Sequence, residues 1–206
     1  YTIYGDSIFF NKNDNYASAV NNIKIIDTIN KTITTGHQAE IFRDIDSMYV
    51  KQDALVAYHT KTDTTYVHGE VISLVGKEGE QIMNAFYNGK ILSGNLSGKC
   101  DSIYFDQSSG IAKLLNLDKK QEKNFRTIKK PILWNNNSQI TGDSIYFKFN
   151  LKENTIDSLF VFNNVFIIEK DSFELGFNQI KGKNLMGNFI DSKLTEVDII
   201  KNAESI

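Results

Sequence analysis

A short string that keeps returning limits what this chain can fold into. Gly5-Asp6-Ser7-Ile8-Phe9-Phe10 recurs as Asp101-Ser102-Ile103-Tyr104-Phe105 and as Gly142-Asp143-Ser144-Ile145-Tyr146-Phe147, with looser copies over 46–50 and 157–161. A second signature sets an aliphatic residue two places before a glycine, at Leu96-Ser97-Gly98, Ile140-Thr141-Gly142 and Ile180-Lys181-Gly182. Its glycines stand 44 and then 40 positions apart. A period of about 40 residues is that of a repeated group of strands, each burying its apolar side against the next.

Within and between the copies the apolar residues alternate. Residues 1–10, 22–27, 47–56, 101–105, 144–149 and 159–168 are rich in Ile, Val, Phe, Tyr and Thr at period two, which suits a pleated, half-buried surface. Polar clusters at 11–15, 60–63, 107–110 and 135–138 supply turns. The expectation is an all-β fold, with antiparallel strands repeated in a folded-over sheet or jelly-roll. One excursion interrupts it, over 112–130, where Lys119, Lys120, Lys123, Lys129 and Lys130 predict a solvated loop or short helix.

Alternation also assigns faces. Ile145, Phe147 and Phe149 share one side while Tyr146 and Lys148 share the other. Ile103 and Phe105 oppose Tyr104, and Ile8 and Phe10 oppose Phe9. Lys148 marks the outer side, so the Ile and Phe set is expected to face inward. Gly98, Gly142 and Gly182 permit sharp corners, and Asp101 and Asp143 can cap them through side-chain to backbone hydrogen bonds.

Composition removes several function classes. Lys and Arg total 23 against 25 Asp and Glu, a net charge of −2, so the basic excess of a nucleic-acid binder is missing. A hydrophobic fraction of 41% supplies a core, while a single proline and 12% aromatics speak for an ordered domain. The mean hydropathy is slightly polar, and no transmembrane segment is expected. Cys100 is the lone cysteine, which removes intrachain disulfides and cysteine-based zinc sites. Opening at Tyr1 in mid-pattern, the sequence reads as one β-repeat domain over 1–206, cut from a longer chain.

No catalytic constellation stands out. The histidines are His37, His59 and His68, and no Gly-x-Ser-x-Gly elbow singles out a nucleophile for them. His59 and His68 flank a turn and, with Glu70, contain the elements of a two-histidine zinc site. No third ligand has motif spacing, and exposed hairpin histidines are the simpler reading. Asp6, Asp101 and Asp143 resemble acids for glycoside cleavage, yet a residue that recurs in every unit is better explained by the unit's fold. Gly76-Lys77-Glu78-Gly79 lacks the spacing of a phosphate loop or a dinucleotide fingerprint. Asn30-Lys31-Thr32 and Asn95-Leu96-Ser97 match a glycosylation acceptor, a pattern common by chance. No enzyme activity, metal or cofactor is expected, and what remains is binding.

Two further stretches repeat an arrangement of strand, corner and returning strand: 21–27 with 33–42, and 164–168 with 179–185. Together with Gly98-Lys99-Cys100-Asp101-Ser102, Pro131-Ile132-Leu133-Trp134 and Gln139-Ile140-Thr141-Gly142-Asp143-Ser144-Ile145, they resemble the OstA-like domains related to LptA, the periplasmic component of lipopolysaccharide transport, in their Bacteroidetes-type form. The agreement is densest over 84–149 and extends weakly over nearly the whole chain, with the charged stretch 117–130 as a departure.

The resemblance implies an open, folded β-sheet without catalytic residues, whose apolar interior shields lipid acyl chains. On this sequence the groove lining would be Ile8, Phe10, Ile103, Phe105, Ile145, Phe147 and Phe149. It also implies lipopolysaccharide or lipid A acyl chains as ligand, and other OstA/LptA-type domains as partners through edge-strand pairing. The docking edges would lie in 1–10 and 193–200. A periplasmic location follows, with association to the outer membrane left open. Two other readings stand beside it. One is an envelope scaffold that binds no lipid; the other is a glycan-binding β-solenoid using Tyr104, Tyr146 and Trp134 with nearby aspartates.

Overall fold

In the computed structural model, which describes residues 1–59, 64–77, 79–116, 130–136, 138–152, 155–171, 176–190 and 193–205, the chain is a succession of antiparallel strands. They are β1 (Thr2–Tyr4), β2 (Ser7–Asn11), β3 (Tyr16–Asp27), β4 (Thr32–Phe42), β5 (Ser47–His59), β6 (Thr64–Val75), β7 (Ile82–Phe86), β8 (Lys90–Ser93) and β9 (Leu96–Lys99). Then come β10 (Ser102–Asp106), β11 (Ile111–Leu115), β12 (Ile132–Asn135), β13 (Ser138–Thr141), β14 (Ser144–Asn150), β15 (Thr155–Lys170), β16 (Phe177–Ile190), β17 (Lys193–Ile200) and β18 (Glu204–Ser205). A turn of 3-10 helix, Arg43–Ile45, is the one helical element among the described residues.

The all-β expectation holds. Residues 112–115 do not belong to the expected excursion over 112–130, because Ala112 and Leu114 alternate into the interior and make Ile111–Leu115 a strand. Residues 117–129, with Lys119, Lys120, Lys123 and Lys129, lie outside the described residues, as does the turn at 60–63. The chain divides into two compact units, Tyr1–Gly94 with Ser102–Ser109, and Asn95–Asp101 with Gly110–Ile206.

In the first unit β3, β4, β5 and β6 are long enough to run through two leaves of sheet. One leaf has the order β2-β3-β4-β5-β6-β7-β10. The other has the order β1-β3-β4-β5-β6-β8. Between the leaves the register slips, from Val20 to Ile23, from Thr35 to Gln38 and from Lys51 to Ala54. At two of these places a strand inserts a left-handed pair, Asn21-Asn22 (φ 59° and 49°) or Gln52-Asp53 (φ 64° and 52°), opposite a single residue of the next strand. Two residues against one is a bulge, which bends the strand and sharpens its twist. Tyr87 and Asn88, just after β7, adopt the same conformation.

The second unit repeats the plan with β15 and β16 as its long strands. Its leaves are β11-β14-β15-β16-β17 and β9-β12-β13-β15-β16-β18. The left-handed pairs are Asn163-Asn164 in β15 and Lys201-Asn202 after β17. Asn visits this region at low cost because its short side chain can hydrogen-bond locally. Asn22 donates to Asp6 at 2.9 Å and Asn164 to Asp143 at 2.8 Å, so two of the three aspartates of the repeated string clamp the corner of the strand beside them. Their backbone N–H groups do the same, Asp6 to the Asn21 carbonyl and Asp143 to that of Asn163.

Glycine stands on the other side of each bend, at Gly5, Gly36, Gly69, Gly142 and Gly182. A Cβ at Gly36 would come within 2.5 Å of Val50 Cγ1. At Gly142 or Gly182 it would overlap a methyl group of Val161 or Ile199 still more severely. Close approach is therefore what these three glycines provide. They let the β-branched side chain of the neighbouring strand fill the bend.

Candidate functional site

Register turns the alternation into continuous apolar rows. In the first leaf of the first unit, one row crosses seven strands as Ile8, Ala19, Ala39, Val50, Ile72, Ala85 and Ile103. The next row on the same face reads Phe10, Ala17, Ile41, Met48, Leu74, Met83 and Phe105. The second leaf contributes Ile3, Ile25, Thr34, Val56, Val67 and Ile91. Sequence reasoning picked out Ile8, Phe10, Ile103 and Phe105, and the structure places them at the two ends of two rows seven strands wide. The alanines between them carry no motif and were missed; only the pairing register identifies them.

In the second unit Phe147 belongs to the row Ala112, Phe147, Leu159, Gly187 and Val197, and Ile145 to the row Leu114, Ile145, Val161, Leu185 and Ile199. Phe149 pairs with Ile156 beyond a bulge at Lys148 and is half-buried. The other leaf adds Gly98, Leu133, Ile140, Ile167 and Ile180.

Burial along a row is uneven. Val50, Leu159 and Val161 are 0% exposed and Phe147 1%, whereas Ile8 and Phe10 are each 50% and Val197 38%. Among the described residues β2 pairs only with β3, and β17 only with β16. At β2 and β17 the rows thus end, among the described residues, on strands that lack a partner on one side, and there the apolar surface reaches solvent. On β2 the neighbouring Phe9, on the opposite face, is also 57% exposed, with Tyr16 next to it across the strands at 6.4 Å between ring centroids. An edge strand that is apolar on both faces with free backbone groups is a template for pairing with another strand.

Asp27 is buried at a turn, and burial by itself would raise its carboxyl. Hydrogen bonds from the Asn30 side chain and from the backbone N–H groups of Asn30 and Ile29 outweigh it and hold the group below its ordinary value. Cys100 is 1% exposed, and burial pushes its thiol up to about 12. Cys100 also stands before Asp101-Ser102-Ile103 where the other two copies of the string carry Gly5 and Gly142.

The remaining candidates are dispersed. Gly98 lies inside β9 opposite Leu133, two residues before Cys100, while Gly142 sits in the break between β13 and β14 and Gly182 inside β16 opposite Val165. Asp101 donates its backbone N–H to the Leu115 carbonyl. His59 hydrogen-bonds Thr64 at 3.0 Å. His68 donates through Nδ1 to the Asn88 carbonyl at 3.3 Å and lies 3.6 Å from Asp53. β5–β6 pairing sets His59 opposite Thr64 and His68 opposite Leu55, so the two rings are not cross-strand partners. Among the described residues no three His, Cys, Asp or Glu side chains could hold a metal ion together. Tyr104 belongs to the first unit, and Tyr146 packs against Phe162 beneath Lys113 in the first leaf of the second. Trp134 lies in the other leaf, so these three aromatics form no common platform within a unit.

No protein-family description matches the sequence, and no curated protein matches it. Among solved structures, the chain is similar in fold to LptH of Pseudomonas aeruginosa, described as the LptA-homologous periplasmic component of the conserved lipopolysaccharide transport device. The TM-score is 0.55 and the identity 12%, over 65% of this chain and 92% of that one. No helix among the described residues is long and apolar enough to cross a membrane.

Proposed function

We propose that this chain is a non-enzymatic periplasmic module of lipopolysaccharide transport and outer-membrane assembly, of the OstA-like, Bacteroidetes type. It holds acyl chains against the apolar face of its folded sheet and joins like domains through edge strands. The observation that carries the reading is the pair of apolar rows running from Ile103 and Phe105 to the half-exposed Ile8 and Phe10 on an edge strand. The fold shared with the LptH structure supports it. Each acyl methylene removed from water contributes about 0.8 kcal/mol, so a short contact along such a row outweighs several hydrogen bonds. A second strand added at β2 would extend both rows without a gap, which makes lipid contact and docking properties of one edge.

Titration of the chain with lipid A and with lipopolysaccharide tests this. Saturable binding is expected, weakened at least about tenfold by Ile8→Asp with Phe10→Asp, a pair exposed enough for the circular dichroism spectrum to persist. Sedimentation should show concentration-dependent oligomers that the same pair abolishes. A folded wild-type chain that binds neither ligand overturns the lipid reading. The full burial of Val50, Leu159 and Val161 then favours the alternative of a filled structural module.

A further inference from the structure

The face of the sheet opposite the apolar rows carries a feature the lipid reading does not use. In the second leaf of the second unit, Leu133, Ile140 and Ile167 point to the interior, so Trp134, Gln139 and Ile168 point out. Register lines these three up with Gln179, each opposite the next on β12, β13, β15 and β16. They are joined by Asn136, Ser138 and Phe177 around a cavity open to solvent, of about 370 Å³, a volume within the range of small-molecule sites.

The chemistry of this lining is specific. None of the seven described residues that line it is charged. Trp134 Nε1 donates to Gln139 Oε1 at 3.0 Å, which holds the indole in place and engages its polar atom within the protein. What the indole then offers a ligand is a ring face. Phe177 is 63% exposed and offers a second one. Asn136, Gln139 and Gln179 add side-chain amides, which donate and accept at once.

An acyl chain would cover these amides without hydrogen-bonding them, a cost of about 1–3 kcal/mol for each group left unpaired. Among the seven described lining residues an anion finds no cation, and a metal ion finds no carboxylate, thiolate or imidazole. A sugar ring satisfies both halves of the site: its C–H face lies against an aromatic ring and its hydroxyls meet amides. We infer that this cavity binds a neutral saccharide, with Trp134 and Phe177 as stacking surfaces and Gln179 and Asn136 as hydroxyl partners. The inference stands apart from the lipid reading, since it uses the opposite face of the sheet.

Trp134 is the only tryptophan in the chain, so its fluorescence reads the site directly. The chain is titrated with neutral disaccharides of hexoses and of N-acetylhexosamines, with saturation-transfer NMR on the sugar as a second readout. The expected result is a saturable change with at least one sugar, weakened about tenfold by Gln179→Ala and by Phe177→Ala, two exposed positions where the fold tolerates truncation. Ile8→Asp should leave sugar binding unchanged, whatever it does to lipid. Absence of a saturable change with every sugar overturns the inference, as does binding that both truncations leave intact.

Discussion

Gly142→Ala is the sharpest test of how the corners are built. The added Cβ would overlap Val161 Cγ1, and Val161 is 0% exposed in the middle of β15 with no room to retreat. Overpacking of that kind costs about 1–3 kcal/mol. With a urea slope of about 1–3 kcal/mol per molar, the midpoint should fall by roughly 1 M. Trp134 lies in the same unit and reports the transition. Gly176→Ala is the matched control, because among the described residues its Cβ would meet only Asp171 Oδ2 at an ordinary 3.5 Å, and a change within about 0.5 kcal/mol is expected. Val161→Ala alone should cost about 2 kcal/mol for two buried methyl groups and the space they leave. Combined with Gly142→Ala, the new methyl occupies part of that space, and the double variant should be more stable than the sum by about 1 kcal/mol. A Gly142→Ala chain as stable as the control, or a strictly additive double variant, refutes the close-approach argument.

Asn164→Ala should destabilise by about 1–2 kcal/mol, because alanine pays the left-handed penalty at φ 51° and loses the bond to Asp143, whereas Asn164→Gly should cost only a few tenths; urea denaturation separates them. Cys100, with its thiol near 12, is ionised in about one molecule in ten thousand at pH 8, so a disulfide reagent should label it only in denaturant; rapid labelling of the native chain contradicts its burial. Asp106 accepts hydrogen bonds from the Ser108 and Ser109 side chains, which lower its carboxyl from 3.8 to about 2. Between those values the unfolded chain binds the proton and the folded turn does not. The contribution is therefore complete above about pH 4 and is lost as pH falls through 2. A carbon NMR titration should find that midpoint, and Ser108→Ala should move it upward.

Much of this architecture is legible in the sequence, because a pleated strand fixes the facing of each side chain locally. Period-two alternation marks strands and assigns sides, and Ile103, Ile145 and Phe147 are all buried. Turn chemistry is equally local, as at 107–110, where Asp106 gathers the hydroxyls and N–H groups that follow it. The doublets Asn21-Asn22 and Asn163-Asn164 were a visible signal of the corners that sequence reasoning passed over, reading them as parts of strands.

Pairing between strands is the part that no local pattern carries. Spacing set Gly98 in series with Gly142 and Gly182, yet Cys100, and not Gly98, stands in the position of Gly5 and Gly142 before the repeated Asp-Ser-Ile. The alanines of the interior rows, the exposure of Ile8 and Phe10 at the end of those rows, and the gathering of Trp134, Ile168 and Gln179 from three separate strands are likewise products of register. Period two tells each residue which side of its own strand to occupy. Which residue it meets there depends on bulges and turns a full strand length away, and only the folded sheet adds those offsets together.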